Sequence, residues 1–117
     1  MRILLVDDDS DLREALAELL IDEGFVVIEA SNGREALELL EQQPVDLIVL
    51  DYMMPVMSGL EFRAQQRARP AIAGIPVVLL SAAKDCSDFE TMAPDVILKK
   101  PFKLPILLGS IRHLLAA

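Results

Sequence analysis

Short, mainly apolar runs alternate along this chain with stretches in which apolar residues recur every three or four positions. These runs predict strands at residues 3–6, 25–30, 47–51, 75–80 and 95–98, and the third of them is expected to be covered on both faces. The periodic stretches between them predict amphipathic helices. Five strands that alternate with five helices, without a linker or a repeat, indicate one α/β domain over residues 1–117. Its parallel sheet is expected to lie between two layers of helices.

Apolar stripes and capping residues place the helices. The first helix is expected to end at Gly24, the second spans residues 34–43, and Ser58 caps a third that ends near Arg69. Residues 84–93 are weakly patterned and predict only a short fourth helix. The last helix begins near Leu104, because Pro105 is tolerated only in a first turn. The stripes of the first and last helices are Leu12, Ala15, Leu16, Leu19 and Leu20, and Leu104, Leu107, Leu108, Ile111 and Leu115.

Polar side chains follow four of the five strands at the point where each strand ends. Asp7 and Asp8 follow the first strand, Asp51 ends the third, Ser81 follows the fourth and Lys100 follows the fifth. Because the carboxyl ends of parallel strands meet at one edge of the sheet, we expect these side chains to lie close together. That edge is where open α/β sheets bind their ligands.

Carboxylates that crowd together repel one another, and a divalent cation relieves that repulsion. Oxygen ligands at a crevice suit Mg²⁺, which shares a few carboxylates with a phosphoryl group. Helix capping by Asp8, Asp9 or Ser10 is the alternative for any one of these residues, but it does not account for all the acids. Lys100 could form a plain ion pair, and it is also suited to bind an oxyanion such as phosphate.

Composition narrows the classes of function. Hydrophobic residues make up 53% of the 117 residues, which indicates a folded domain. A net charge of −8 and the absence of tryptophan argue against nucleic-acid binding by this domain. No apolar run approaches the ~18 residues of a membrane span, and no cationic leader precedes the first strand. A single cysteine, Cys86, suits a reducing compartment. We therefore expect a cytoplasmic protein that does not bind a membrane.

The chain resembles the receiver domain of two-component response regulators over essentially its whole length. The motifs are the acidic pair Asp7-Asp8, the block D-Y-M-M-P-V-M-S-G that starts at Asp51, Ser81, and K-P-F from Lys100. The resemblance implies a flavodoxin-like, doubly wound (βα)5 three-layer sandwich with a five-stranded parallel sheet in the order 2-1-3-4-5. It also implies a cis peptide bond between Lys100 and Pro101.

The resemblance further implies the chemistry of the sheet edge. Asp51 would be the phosphoacceptor, which takes a phosphoryl group from a phosphohistidine and becomes an aspartyl phosphate. Asp8, Asp51 and the backbone carbonyl of Met53 would bind Mg²⁺ directly, and Asp7 would bind it through water. Such a domain catalyses only its own phosphotransfer and its own slow dephosphorylation, so it is not an enzyme in the usual sense.

Three further groups would contact the phosphoryl group, and they connect it to partners. Lys100 would balance its charge, while the Ser81 hydroxyl and the backbone N–H of Ala82 would donate hydrogen bonds to it. Movement of Ser81 would shift the face of the fourth and fifth strands and helices, which is also a possible homodimer surface. The implied partner is a sensor histidine kinase or a histidine phosphotransfer protein, which contacts residues near 12–19 and 102–104.

Three features depart from the pattern of the family. Ile97 stands where an aromatic side chain is usual, so the usual inward movement of a ring is not expected. The segment from Ser81 to Lys100 is short, which predicts a stunted fourth helix. Met53 and Ala83 offer no side chain to orient an attacking water, so we expect slow self-dephosphorylation.

Rival interpretations remain. A haloacid-dehalogenase-like phosphatase needs a general acid two residues after its nucleophile, where this chain has Met53. A flavin-binding module needs a phosphate loop in place of the three acids after the first strand. An unphosphorylated, receiver-like interaction module is the remaining alternative. The other singled-out residues have plainer interpretations: Lys99 is expected to be solvated, Cys86 to be incidental and His113 to interact with the dipole of the last helix.

Overall fold

The computed structural model describes residues 1–82 and 87–116 of the chain. Along these residues five strands alternate with five helices. The strands are β1 (Arg2–Val6), β2 (Val26–Ala30), β3 (Leu47–Asp51), β4 (Val77–Ser81) and β5 (Val96–Lys99). The helices are α1 (Ser10–Asp22), α2 (Gly33–Gln42), α3 (Gly59–Arg67), α4 (Ser87–Met92) and α5 (Leu104–Ala116).

All five strands run parallel, in the order β2-β1-β3-β4-β5. Val6 of β1 is paired with Ala30 of β2 on one side and with Leu50 of β3 on the other. From β1 the chain first adds β2 on one side of the sheet and then crosses to the other side of β1, where it adds β3, β4 and β5 in turn. The strand order therefore reverses between β1 and β3. The expected fold class, a doubly wound (βα)5 sandwich with order 2-1-3-4-5, is confirmed. The reversal opens a crevice at the carboxyl ends of β1 and β3.

Alternate side chains of the central strands form a separate core on each face of the sheet. In β1, Leu4 and Val6 pack into the core on the side of α2 and α3. Ile3 and Leu5 pack into the core on the side of α1 and α5. Both β3 and β4 are buried along their whole length. Polar side chains can therefore reach water only where these strands end, and this restriction places the candidate site.

Caps and a proline explain why some boundaries differ by one or two residues from those expected. The side chain of Asn32 caps α2, so the helix begins at Gly33. β4 begins at Val77 because the preceding Pro76 has no N–H to donate. The Asp95 carboxylate accepts a hydrogen bond from Val77 N at 2.8 Å, and β5 begins one residue later. Two further shifts of similar size place the start of β2 at residue 26 and the end of α3 at residue 67.

The expected apolar stripe of α1 is wrong at three of its five positions. Leu16 and Leu20 are buried as expected, but the third buried side chain of the helix is Ala17. A small residue at that point lets the helix lie close to the sheet. The remaining stripe members are exposed instead of buried: Leu12, Ala15 and Leu19. They face the loop that follows β5, across a groove.

The other helix ends agree with the sequence. Gly24, with φ of 96°, stops α1 in a backbone conformation that other residues rarely adopt. Ser58 and Glu61 form a capping box at the start of α3. Pro105 lies in the first turn of α5, whose inward face is the one expected. α4 has only six residues, as the short segment predicted; Ala83 and Cys86, just before it, lie outside the described residues.

Two smaller expectations, a cis bond before Pro101 and a solvated Lys99, are confirmed. The Lys100–Pro101 peptide bond is cis. Lys99 is exposed, and His113 is exposed in the last turn of α5. The longest helices of the described chain, α1 and α5, have 13 residues each, and none there is long and apolar enough to cross a membrane.

Candidate functional site

Three carboxylates meet at the carboxyl edge of the sheet. Asp7 directly follows β1 and Asp51 is the last residue of β3, and these two strands are neighbours. With Asp8 they form a group in which one oxygen from each residue lies within 4.8 Å of the others. Asp7 and Asp51 are buried, at 1% and 6% exposure, whereas Asp8 is open to solvent. The predicted acidic cluster is therefore present, with one side facing water.

Among the residues that the structure describes, the ammonium group of Lys100 is the one that contacts this cluster. Lys100 Nζ donates to Asp51 Oδ1 at 2.9 Å and lies 3.9 Å from Asp7 Oδ2. The backbone N of Lys100 donates to Ser81 O at 2.9 Å, and this hydrogen bond holds the Lys100 backbone at the end of β4. The three carboxylates of the described site therefore carry more negative charge than the ammonium of Lys100 balances.

The proton affinities of the site reflect this imbalance. Burial raises the pKa of Asp51 above its ordinary value, and the neighbouring charges of Asp7 and Asp8 raise it further, against the opposing effect of Lys100. Burial likewise raises the pKa of Asp7. For Lys100 burial acts in the opposite direction, but the hydrogen bond and charge of Asp51 outweigh it, so its pKa is also raised. The pKa values of Asp7 and Asp51 are thus raised mainly by burial and further by the neighbouring acids, and the pKa of Lys100 is raised by those same acids.

Only one of the three consecutive acids serves as a helix cap. The Asp9 side chain accepts a hydrogen bond from Leu12 N at 3.2 Å and is the N-cap of α1. Asp9 N in turn donates to Asp7 Oδ1 at 3.0 Å. The capping alternative therefore applies to Asp9 and leaves Asp7 and Asp8 facing Asp51.

The remaining predicted site residues lie at the ends of the neighbouring strands. Ser81 is the last residue of β4 and is 1% exposed. Ala82 follows it and is exposed. Met53 lies two residues after Asp51, with a side chain that is 68% exposed. Its side chain thus points to solvent, which leaves only backbone groups of Met53 as candidate ligands.

The sequence did not reveal two contacts of this edge. Tyr52 directly follows Asp51, and its hydroxyl donates to the carboxylate of Asp88 in α4. Its ring packs edge-on against Phe89, with ring centroids 5.1 Å apart. The second contact is that of Arg13, which donates to the backbone oxygen of Asp7. The sequence signals for these contacts are a lone tyrosine directly after Asp51 and a basic residue one turn into α1.

The residues present at this edge fit a divalent metal ion. All the candidate ligands are oxygen atoms, the carboxylates outnumber the ammonium, and exposed Asp8 leaves the site open to water. This is the donor set that Mg²⁺ prefers. The ligands of such an ion would come from Asp7, Asp8 and Asp51.

A doubly wound α/β domain with an acidic cluster and a lysine at the strand ends defines a recognisable class. Residues 3–112 match the family model of the response regulator receiver domain. The chain therefore belongs to the response regulator receiver domain family.

Curated relatives agree with this assignment. The chain is 41% identical over 118 residues to the probable transcriptional regulator ycf29 of Pyropia yezoensis, a match that covers 98% of the chain and 53% of the relative. It is 39% identical to response regulator RR06 of Streptococcus pneumoniae, with coverage of 98% and 53%. The chain thus spans about half the length of the curated relatives it matches.

Solved receiver structures share the fold. A putative response regulator from Chloroflexus aurantiacus superimposes with a TM-score of 0.92 at 28% identity, over 99% of this chain and 98% of that one. Response regulator TrrA of Thermotoga maritima, solved in complex with Mg(2+)-BeF, gives a TM-score of 0.83 at 34% identity over 97% of both chains.

Proposed function

We propose that residues 1–117 form one receiver domain in which Asp51 accepts a phosphoryl group from a phosphohistidine of a partner protein, with Mg²⁺ as cofactor. The observation that supports this most strongly is the position of Asp51. Its carboxylate is nearly buried, is bound by Lys100 Nζ at 2.9 Å, and lies within 4.8 Å of two further carboxylates. An ordinary surface ion pair needs no such excess of acids.

The proposed step is the direct transfer of a phosphoryl group from a histidine nitrogen to an oxygen of Asp51. A carboxylate oxygen of Asp51 forms a bond to phosphorus while the phosphorus–nitrogen bond of the donor histidine breaks. The electron pair of that bond stays on the imidazole nitrogen. Lys100 orients the Asp51 carboxylate before transfer, because it binds one of its two oxygens. Transfer of this kind depends mainly on position and electrostatic stabilisation.

This proposal also assigns the residues that would bind the metal ion and the phosphoryl group. Asp8, Asp51 and the Met53 carbonyl would bind Mg²⁺ directly, and Asp7 would bind it through water. When bound, the ion neutralises charge on the oxygens of the transferred group. The Ser81 hydroxyl and the backbone N–H of Ala82 donate hydrogen bonds to those oxygens.

The proposed partner is a sensor histidine kinase or a histidine phosphotransfer protein, and the proposed location is the cytoplasm. A groove of about 530 Å³ lies between α1 and the loop that follows β5, beside Lys100. Leu12 and Leu19 are exposed on its α1 wall, and Phe102 lines the opposite wall. This apolar surface reaches the acceptor edge, so a helix of a partner that docks there could bring its histidine to Asp51.

Phosphorylation is proposed to act on the face of β4, β5 and the helices that follow them. Ser81 would be drawn toward the phosphoryl group. Ile97, 39% exposed on β5, gives that face an aliphatic side chain in place of a ring, so the expected change is a repacking. A second copy of the chain is a further proposed partner for this face.

Self-dephosphorylation is expected to be slow. The Met53 side chain points to solvent and carries no group that could orient a water molecule for attack on the aspartyl phosphate; Ala83, the other position of interest, lies outside the described residues. Met53→Asn is expected to shorten the lifetime of the phosphorylated protein severalfold, measured by loss of the adduct after acetyl phosphate is removed. An unchanged lifetime would contradict this explanation.

The direct test of the proposed function is the intact mass of the protein after incubation with acetyl phosphate and Mg²⁺. One added phosphoryl group is expected, and it should require the metal. Asp51→Asn should abolish it, whereas Asp22→Asn, at an exposed aspartate of α1, should not. A folded protein that gains no phosphoryl group from acetyl phosphate or from any phosphohistidine donor would favour the unphosphorylated interaction module instead.

A further inference from the structure

The loop that carries Asp7 and Asp8 is bound by a side chain outside the carboxylate cluster, Arg13 of α1. Its Nη1 donates to the backbone oxygen of Asp7 at 2.8 Å. Its Nε donates to Glu29 Oε1 of β2 at 3.1 Å. The Arg13 side chain is only 14% exposed, so water competes little for these partners. Arg13 thus connects α1, the acidic loop and the edge strand β2.

The contact with Asp7 acts on Asp8 through the geometry of the peptide unit. The carbonyl oxygen of Asp7 and the amide nitrogen of Asp8 lie in one plane. A guanidinium bound to that oxygen therefore restricts the plane and the direction in which the Asp8 side chain leaves the backbone. The same loop is also bound on either side, because Asp7 N donates to Ala30 O at 3.1 Å and Asp9 N donates to Asp7 Oδ1 at 3.0 Å.

An arginine suits this position better than a lysine. Its planar fork donates to two acceptors at once, whereas an ammonium has no such fork. Its charge is matched by that of Glu29, so the pair adds little net charge to the sheet edge. The effect of Arg13 on the acidic cluster is therefore one of position rather than of charge.

We propose that Arg13 is a positioning residue for the metal site: by binding the Asp7–Asp8 peptide, it keeps the Asp8 carboxylate within reach of a divalent cation shared with Asp51. This inference rests on the proposed function, because it takes Asp8 and Asp51 as ligands of Mg²⁺. Residues that orient metal ligands typically change metal affinity about tenfold or more when they are substituted.

The test is a titration of the metal-free protein with Mg²⁺, followed by the amide NMR shifts of residues around Asp51. The main variant combines Arg13→Gln with Glu29→Gln, which removes one charge of each sign and keeps the net charge. Its Kd for Mg²⁺ is expected to be about tenfold weaker than that of the wild type. Arg13→Lys keeps the charge without the fork and is expected to give an intermediate Kd.

The matched control combines Arg112→Gln with Glu23→Gln. These residues form an exposed ion pair at 2.8 Å between α5 and the end of α1, and their removal is expected to leave the affinity for Mg²⁺ unchanged. Phosphorylation by acetyl phosphate gives a second readout. At saturating Mg²⁺ the Arg13/Glu29 variant should recover a rate near that of the wild type, because Asp51 and Lys100 are unaltered.

Two results would overturn parts of this account, and they are distinguishable. An Arg13/Glu29 variant that melts at a lower temperature but binds Mg²⁺ with wild-type affinity would show a merely structural role for Arg13. A folded wild-type protein that does not bind Mg²⁺ would overturn the proposed function itself, and with it the premise of the inference.

Discussion

At the scale of single residues, the site contains more negative charge than its surroundings can balance. Asp7 is almost completely buried, and its carboxylate has Lys100 at 3.9 Å and two acidic neighbours. Burying a charged group disfavours folding unless partners compensate. Compensation at Asp7 is incomplete, because its pKa is raised despite Lys100 and the hydrogen bond from Asp9 N. The ionised Asp7 carboxylate therefore lowers the stability of the metal-free fold.

Asp7→Asn is expected to raise the melting temperature of the metal-free protein at neutral pH. A raised pKa in the folded state means that the ionised Asp7 destabilises the fold at every pH above that pKa. This penalty is lost as the pH falls through the raised pKa toward the ordinary value of 3.8. The advantage of Asp7→Asn should therefore shrink on acidification, in melting curves recorded with a chelator present.

Exposed Glu18 of α1 supplies the control, since Glu18→Gln should change the melting temperature little. Saturating Mg²⁺ should reverse the order of wild type and Asp7→Asn, or at least narrow the gap between them. A metal-free Asp7→Asn protein that melts below the wild type at neutral pH would contradict the account of charge imbalance.

Val56 shows strain of a different kind at the same scale. It lies in the loop after Asp51 with φ of 69°, a conformation that is unfavourable for a β-branched residue, and it is 71% exposed. Val56→Asn should raise the free energy of unfolding by about 1 kcal/mol, because asparagine tolerates this backbone and no packing is lost. Urea denaturation measures the change.

The control is Val26→Asn, at an exposed position on β2, which should give no such gain in the free energy of unfolding. Equal effects at both positions would exclude backbone strain as the cause.

At the scale of elements, the short α4 depends on α3 for its attachment. The buried Arg63 of α3 donates to Met92 O at 2.8 Å, to Ala93 O at 3.0 Å and to Gln66 Oε1 at 2.8 Å. The last carbonyls of a helix have no partner within it, so this guanidinium satisfies groups at the end of α4. A helix of six residues has little stability of its own, and the connection to α3 compensates for its length.

Arg63→Met is expected to lower the free energy of unfolding by about 3 kcal/mol, because the buried Met92 carbonyl and the buried Gln66 Oε1 both lose this donor. Methionine fills a similar volume, so loss of packing contributes little. The matched variant is Arg67→Met, which removes one exposed hydrogen bond to Thr91 O and should cost roughly 0.5 kcal/mol. Similar losses in the two variants, measured by urea denaturation, would contradict the role assigned to Arg63.

Elements were predictable from the sequence where the local pattern determines them. The five strands, the cap at Ser58 and the brevity of α4 all follow from residues that are close in the chain. The apolar face of α1 did not follow, because periodicity alone does not distinguish a stripe that packs on the sheet from one that borders a groove. Only the packed structure shows that Ala17 is buried while Leu12 is exposed.

At the scale of the whole molecule, topology explains why the main site residues could be found without a structure. A parallel sheet brings the ends of β1, β3 and β5 to one edge, so Asp7, Asp51 and Lys100 meet although 49 residues separate the last two. The contacts of Tyr52 with α4 could not be predicted in this way, because they depend on how α4 packs across the edge. Through Tyr52 the loop that follows Asp51 contacts α4 directly. This aromatic contact exists in a chain that has isoleucine at position 97, where an aromatic side chain is usual in the family.

The measurement that tests the central claim most directly is the location of the modified residue. The protein is phosphorylated with acetyl phosphate and Mg²⁺ and then reduced with borohydride, which converts an aspartyl phosphate to homoserine. Peptide mass spectrometry is expected to find homoserine at position 51 and at no other aspartate. Homoserine at position 7 or 8, or a stable phosphoryl group on Ser81, would contradict the assignment of Asp51 as the acceptor.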